Sequence, residues 1–325
     1  MCMENKKLAR IITITLNPAL DQTLNFTQFH VGQVNRVDKD RLDPAGKGIN
    51  VAKVLNRLGQ NVAVTGFLGR ENANIFEQYF QTHGISNHFI VVDGATRINT
   101  KIVDETTGQV SEINFPGIHF SASNLQELEN VIKQLALESE YFVLSGSLPG
   151  QAPLDIYRKF IEILKSNNCK VFLDTSGGAL IEGIKAKPYA IKPNLDELKQ
   201  LLGHSLEQEL DVLTAIDTLI SGGIPKVVIS LGGKGALVAD RTQRLLVRPP
   251  DVQVGSTVGA GDALVAGLVY GEVQGMSLEE QARWATAVAV ASIQPETQAG
   301  RLNDVEDLLP NIIVSSLGKG VFLLA

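Results

Sequence analysis

Asp262 stands directly after Ser256-Thr257-Val258-Gly259-Ala260-Gly261, a run of mostly small residues that opens the long apolar segment from Ala263 to Tyr270. A helix starting there points its first unpaired N–H groups, at Gly259, Ala260 and Gly261, toward whatever lies in front of it, and a rim of bare amides holds anions. A carboxylate beside an anion hole is electrostatically costly unless it has a proton to accept. These residues suit phosphoryl transfer to a hydroxyl, with Asp262 as base. A Gly-rich turn whose acidic residue merely complements the helix dipole would use the same residues.

Three further stretches carry polar groups at useful spacing. Ala45-Gly46-Lys47-Gly48-Ile49-Asn50 is a second Gly-rich turn into a helix: its glycines let a ligand approach the backbone, Lys47 offers a point charge for a phosphate, and Asn50 can donate to a hydroxyl. Ser230-Leu231-Gly232-Gly233-Lys234-Gly235 leaves an apolar run and either cradles a nucleotide's phosphates or simply turns a hairpin. In Lys192-Pro193-Asn194-Leu195-Asp196-Glu197, the side chains of Asn194 and Glu197 share one helix face. Their oxygens suit Mg²⁺, directly or through water, and equally suit a capping box. Arg97, at the start of a strand, is placed either to bind a second phosphate or to stay solvated.

Each Gly-Lys pair is followed by Gly, so no Walker A loop is present, and no G-x-G-x-x-G follows a strand. HRD and DFG motifs are missing, and the five histidines show no ligand spacing.

The elements that must position these residues alternate. β-branched runs such as Ile11 to Leu16, Val62 to Thr65, Tyr141 to Leu144, Val171 to Leu173 and Val227 to Ile229 read as buried strands. Helical patterns separate them, which predicts an α/β fold with a mostly parallel sheet covered on both faces. Sites in such sheets lie beyond the carboxyl ends of the strands. Asn17-Pro18-Ala19-Leu20-Asp21, Ser145 to Pro149, Asp174-Thr175, Lys192 to Asn194 and Ser230 to Gly233 all fall there. Thr23–Phe29 with Gln33–Leu42, and Ile98–Asp104 with Ser111–Phe115, alternate polar and apolar instead. They predict two antiparallel strand pairs that form one small lid sheet, from about 22–43 and 96–116, on a single domain, with tails at 1–9 and 316–325. Leu245 to Val247 reads as the edge of the main sheet, and Val305 to Val314 as a helix.

Composition narrows the function classes. Across 325 residues the hydrophobic content of 44% fills a substantial core, and a net charge of -6 argues against nucleic acid as a partner. Two cysteines without a CxxC fit a reducing compartment, the cytoplasm by default. Neither a secretory signal nor a membrane-spanning run is expected.

Taken together, these residues resemble the PfkB or ribokinase-like carbohydrate kinases. The resemblance runs from Ile11 to about Val314. It rests on Ala45 to Ala52 with Gly59 and Gly69, on Thr96-Arg97-Ile98-Asn99, on Ser145-Gly146-Ser147-Leu148-Pro149, and on Ser256 through Val269. Ala45 stands where many members carry Gly. The resemblance implies a ribokinase-like three-layer αβα core with a β-sheet lid, and ATP-dependent phosphorylation of a small sugar phosphate. Its first choice is D-fructose 1-phosphate to fructose 1,6-bisphosphate, with tagatose 6-phosphate and fructose 6-phosphate as rivals. It implies that Asp262 is the base over the Gly259, Ala260 and Gly261 amides, that Asp21, Gly46, Lys47 and Asn50 hold the sugar, and that Arg97 reaches its phosphate. Ser230, Gly232, Gly233, Gly235, Ser256 and Thr257 would line the ATP site, with Lys192 near the phosphates and Asn194 and Glu197 tied to Mg²⁺. A homodimer paired through the lid sheets is implied as well. A sensor that binds without turnover needs no base, so Asp262 weighs against it.

Overall fold

A computed structural model describes residues 11–203, 206, 208–295 and 305–317. In chain order its first half holds β1 (Ile11–Thr15), β2 (Ala19–Phe26), β3 (Lys39–Ala45), α1 (Lys47–Arg57), β4 (Val62–Gly69), α2 (Ala73–Thr82), β5 (Ser86–Asn87), β6 (Ile90–Val92), β7 (Ile98–Asp104), β8 (Val110–Ile113), α3 (Ala122–Ala136) and β9 (Tyr141–Ser145). Then follow α4 (Ile156–Ser166), β10 (Lys170–Asp174), α5 (Gly177–Lys185), β11 (Ala190–Ile191), α6 (Leu195–Leu202), α7 (Glu209–Ser221), β12 (Lys226–Ser230), β13 (Ala236–Ala239), β14 (Arg244–Arg248), α8 (Ala260–Val273), α9 (Leu278–Ile293), α10 (Val305–Leu308) and β15 (Ile313–Ser316).

The main sheet runs β15-β14-β13-β12-β11-β10-β9-β1-β4-β5, with β6 paired to the far end of β4. From β12 to β5 every pairing is parallel; β13, β14 and β15 are antiparallel. Because side chains alternate across a strand, Ile12 and Ile14 enter the apolar layer under α3 to α7, while Ile11 enters the layer under α1, α2, α8 and α9. The result is the three-layer αβα core expected from the sequence. Among the described residues no helix is long and apolar enough to cross a membrane.

A separate four-stranded sheet, β3-β2-β7-β8, stands off this core. Its first hairpin is shorter on one side than the residue alternation suggests, since β3 begins at Lys39. The preceding loop turns at Gly32 (φ +77°), and the Asn35 side chain bonds the His30 backbone, which occupies the residues that would otherwise extend the strand.

Two expectations about the C-terminal region are corrected. Val305–Val314 is not one helix: a single turn (Val305–Leu308) gives way to the 3₁₀ segment Leu309–Asn311 that contains Pro310, and the β-branched Ile313-Val314 then pairs with β14. The β13-β14 hairpin is therefore not the sheet edge, because β15 covers it. Ser316, assigned above to a tail, belongs to that strand, and residues 1–9 and 318–325 lie outside the described residues.

α8 is apolar on every side and buried against the sheet between its layer neighbours α1 and α9. Gly267 brings the two helices together, since a Cβ there would sit 2.5 Å from Ala285 Cα. Its far end is pinned by Glu272, which receives Lys170 Nζ at 2.6 Å, Lys226 Nζ at 2.8 Å and the Tyr189 hydroxyl at 2.7 Å. Burial pushes the Glu272 carboxyl up, but these donors outweigh it and hold the group at about 2. The helix is thus fixed along its axis, and with it the amides at its start.

Candidate active site

Two helix starts meet over the carboxyl ends of the central strands. α8 opens at Gly259, whose φ of +84° turns the chain into the helix; the Ala263 N–H makes the first helical bond, to the Gly259 carbonyl at 2.8 Å. Gly261 and Asp262 therefore present amides with no partner inside the helix, while Ala260 leans on the Thr257 carbonyl at 3.3 Å. α1 opens at Gly46 (φ +123°), and Gly48 seats it flush on β1: a Cβ there would lie 2.4 Å from Thr15 Oγ1. Side by side, the two helices bring the Asn50 amide to Asp262, Nδ2 donating to Oδ2 at 2.8 Å.

Asp262 is only 6% exposed. Burial pushes its carboxyl up and the nearby Asp174 carboxylate adds to this; the Asn50 hydrogen bond, Lys47 and Lys192 oppose them, and the balance is about 6. Such a group is ionised at neutral pH yet close enough to its midpoint to take a proton.

Asp174, at the end of β10, is the site's other buried acid, 2% exposed. Lys47 Nζ reaches its Oδ2 at 3.4 Å and Lys192 Nζ its Oδ1 at 3.2 Å, with the Ser145 hydroxyl 3.3 Å from Oδ2. Burial acts to raise this carboxyl, but Lys192 and Lys47 prevail and hold it below the usual carboxylate range. For Lys47 burial pulls down while Asp174, Asp262 and Glu197 pull up, and the carboxylates win. The Lys192 ammonium also flanks the anion rim, 3.6 Å from where a Gly261 Cβ would stand. The sequence marked Asp174 only as one of several strand ends; a charged residue closing an otherwise apolar strand, Val171-Phe172-Leu173, was the signal available.

The remaining predicted residues divide by location. On the small sheet, Asp21 pairs in register with Asn99, whose Nδ2 donates to it at 3.3 Å, and Lys101 Nζ lies 3.6 Å away. Asn99 and Lys101 were not singled out above; alternation along β7 puts them on one face with Asp21. Arg97 spends three of its N–H groups on the carbonyls of Pro18, Phe115 and Asn17, at 3.2, 3.0 and 3.2 Å. It clasps the hinge where the small sheet leaves the core, and two of its five N–H groups remain for a ligand.

On the opposite side, Ser230 ends β12 beside Asn194, the two forming an isolated parallel bridge. Gly232–Lys234 is a 3₁₀ turn closed by Gly235, whose φ is +101° and where any Cβ would strike the Val247 carbonyl at 1.9 Å. At Gly232 and Gly233 a Cβ would meet nothing within 4 Å, so the turn is open to a ligand. Ser256 and Thr257 lead into the amide rim, with Ser256 Oγ accepting from the Val258 N–H at 3.3 Å. Asn194 and Glu197 form a reciprocal cap: Oδ1 of Asn194 accepts from the Glu197 N–H at 2.8 Å, and Oε2 of Glu197 from the Asn194 N–H at 2.9 Å. Among the described residues no three His, Cys, Asp or Glu side chains cluster as a ready-made metal cage.

A buried carboxylate with a raised pKa beside a rim of bare amides, lysines at the same point and an open Gly-rich turn alongside are the parts of a phosphotransferase site. Comparisons agree. The family model described as pfkB family carbohydrate kinase matches residues 14–301. The chain is 45% identical over 309 residues to a 1-phosphofructokinase of Vibrio cholerae, covering 95% of this chain and 97% of that one. It is 39% identical over 312 residues to a 1-phosphofructokinase of Haemophilus influenzae, covering 95% and 99%. Among solved structures, phosphofructokinase-2 from Escherichia coli in complex with potassium superposes with a TM-score of 0.87 at 28% identity, over 93% of this chain and 99% of that one. The same enzyme has been solved with fructose-6-phosphate and in a tetrameric inhibited form.

Fold and site together define an ATP-dependent sugar kinase, an enzyme that phosphorylates an alcohol group. The chain belongs to the pfkB family of carbohydrate kinases.

Proposed function

We propose that this kinase transfers the γ-phosphoryl group of ATP to the free primary hydroxyl of D-fructose 1-phosphate, releasing D-fructose 1,6-bisphosphate and ADP. The observation that carries this function is Asp262, buried, held near pKa 6 and fixed by Asn50 at the mouth of an amide rim. The name shared by the Vibrio and Haemophilus relatives supports the choice of sugar.

In this mechanism Gly46, Lys47, Asn50 and Asp21 hold the sugar between the small sheet and α1, with Arg97 and Lys101 placed for the phosphate it already carries. Ser230, Gly232, Gly233, Gly235, Ser256 and Thr257 line the nucleotide side, and Lys192 meets its phosphates. The sugar oxygen attacks γ-phosphorus as the bond to the ADP oxygen breaks, and the hydroxyl proton passes to Asp262. Charge developing on the transferred group is met by the Gly259, Ala260 and Gly261 amides and by the two lysines. Holding the two reactants in line is most of the catalytic task, and closure of the small sheet excludes water that would otherwise hydrolyse ATP.

Asn194 and Glu197 fit Mg²⁺ only as outer ligands. Each spends one oxygen position on the cap, and with no cage around them the ion would keep several waters and bind chiefly to ATP oxygens. Bound there, Mg²⁺ would neutralise phosphate charge.

The kinase works as a homodimer paired through the small sheets, in the cytoplasm where ATP and sugar phosphates meet. Supporting the pairing, Val34, Val110, Ile113 and Phe115 stand exposed on that sheet and its loops. The solved complex of E. coli phosphofructokinase-2 with fructose-6-phosphate favours a second reading, in which the 6-phosphate is the acceptor. Steady-state kinetics with fructose 1-phosphate, fructose 6-phosphate and tagatose 6-phosphate decides between them. The highest kcat/KM is expected for fructose 1-phosphate; a clear preference for either 6-phosphate overturns the assignment.

A further inference from the structure

Resting on the kinase function proposed above, we infer that Asp174 is a positioning residue that holds Lys47 and Lys192 on either side of the transferred phosphoryl group. The geometry is specific. Lys47 comes from the first turn of α1, on the sugar side, and Lys192 from the end of β11, on the nucleotide side. A single buried carboxylate takes one lysine on each oxygen, at 3.4 and 3.2 Å, and Ser145 restrains it from a third direction. Untethered, each lysine has a flexible four-carbon stem and a strongly hydrated head that would follow solvent. Lys192 is nevertheless 9% exposed in its side chain, and it flanks the amide rim.

An uncompensated pair of ammonium groups at this point would also favour the ionised form of Asp262 so strongly that it would be a poor proton acceptor. Asp174 offsets them. The groups facing Asp262 are Asn50 and Lys47 from α1, Lys192 from β11 and Asp174 from β10; Asp174 is the one whose charge favours the protonated form. One carboxylate thereby sets both where the lysines stand and how readily the base accepts a proton. A purely structural role, a buried acid neutralised by two cations, would require the position of Asp174 but not its influence on Asp262.

The test uses the full chain. Carboxyl ¹³C resonances followed against pH give the Asp262 midpoint without turnover, and kinetics are run beside it with the preferred sugar phosphate. In wild type the midpoint should lie near 6. In Asp174→Asn it should fall by roughly one pH unit, the acid limb of kcat/KM should follow it, and kcat should fall on the order of 10- to 100-fold with a smaller change in KM, since the lysines act on the transferred group. An unchanged midpoint, or a loss confined to KM, overturns the proposal. Thermal melting reports whether the variant folds. If it does not, Asp174→Glu, which keeps the charge but displaces it, must hold the midpoint near 6 while kcat drops; wild-type kcat or a fallen midpoint in that variant overturns the proposal equally. A wild-type chain idle with all three sugar phosphates would sink the proposed function, while the resonance titration would still decide the role of Asp174.

Discussion

The side-chain amide of Asn50 donates to Oδ2 of Asp262 at 2.8 Å across a sequence separation of 212 residues, locking the first turns of α1 and α8 together. The bond favours the ionised carboxylate, so removing it should raise the Asp262 midpoint above 6. Because the base must be unprotonated to act, the acid limb of kcat/KM in Asn50→Ala should move to higher pH. A pH–rate profile for the variant checks this, and activity near pH 6 should suffer more than activity near pH 8.

Asp262 also limits stability. Its unfolded midpoint is near 3.9 and its folded one about 6, so between roughly pH 4 and pH 6 the native chain holds a proton that the unfolded chain has released. Stability tied to that proton is lost as pH rises through the window, and above it the buried charge is a full cost. Asp262→Asn should therefore melt higher than wild type at pH 8, by about 1 to 3 kcal/mol, with the advantage vanishing near pH 4. Melting curves at the two pH values check the sign.

Gly48 makes a different kind of contribution. A methyl group there would meet Thr15 Oγ1 at 2.4 Å and the Ile14 carbonyl at 3.0 Å, so α1 must move off β1. Gly48→Ala should lose roughly 1 to 3 kcal/mol of stability, and because displacing Lys47 and Asn50 by about 1 Å misplaces the reactants, kcat should fall by about 100-fold. Denaturant melts and steady-state rates on one preparation measure both.

The alternation of apolar strands and helices made the layered core legible in the sequence, and the strand-end rule placed most of the site, because each is a local pattern that tertiary packing reinforces. Partnerships were not legible. Asp174 meets Lys47 and Lys192 only because parallel pairing sets the ends of β9, β10 and β11 side by side, and no local pattern encodes that. Arg97 was open to a phosphate-binding or a solvated role, and its three bonds to carbonyls at the hinge were not legible because they depend on where the small sheet leaves the core. β15 is only four residues, two of them β-branched, and follows directly on a short helical turn, so it reads as more helix until Pro310 is weighed.

Asn194 and Glu197 form a reciprocal cap, and a neutral substitution separates that role from the proposed Mg²⁺ one. Glu197→Gln keeps an oxygen for the cap, so stability should change by less than about 1 kcal/mol. Its lost charge should raise the Mg²⁺ concentration giving half-maximal rate several-fold. A melting curve and an Mg²⁺ titration of the rate, run together, check the split.

The most direct measurement is kcat of Asp262→Asn with ATP and D-fructose 1-phosphate, on protein shown by circular dichroism to be folded. The loss should be on the order of 10²- to 10⁴-fold, or roughly 3 to 5 kcal/mol of barrier, with the sugar still bound. Turnover within a few-fold of wild type would contradict the account, because no other carboxylate described at the site both contacts Asn50 and stands at the amide rim.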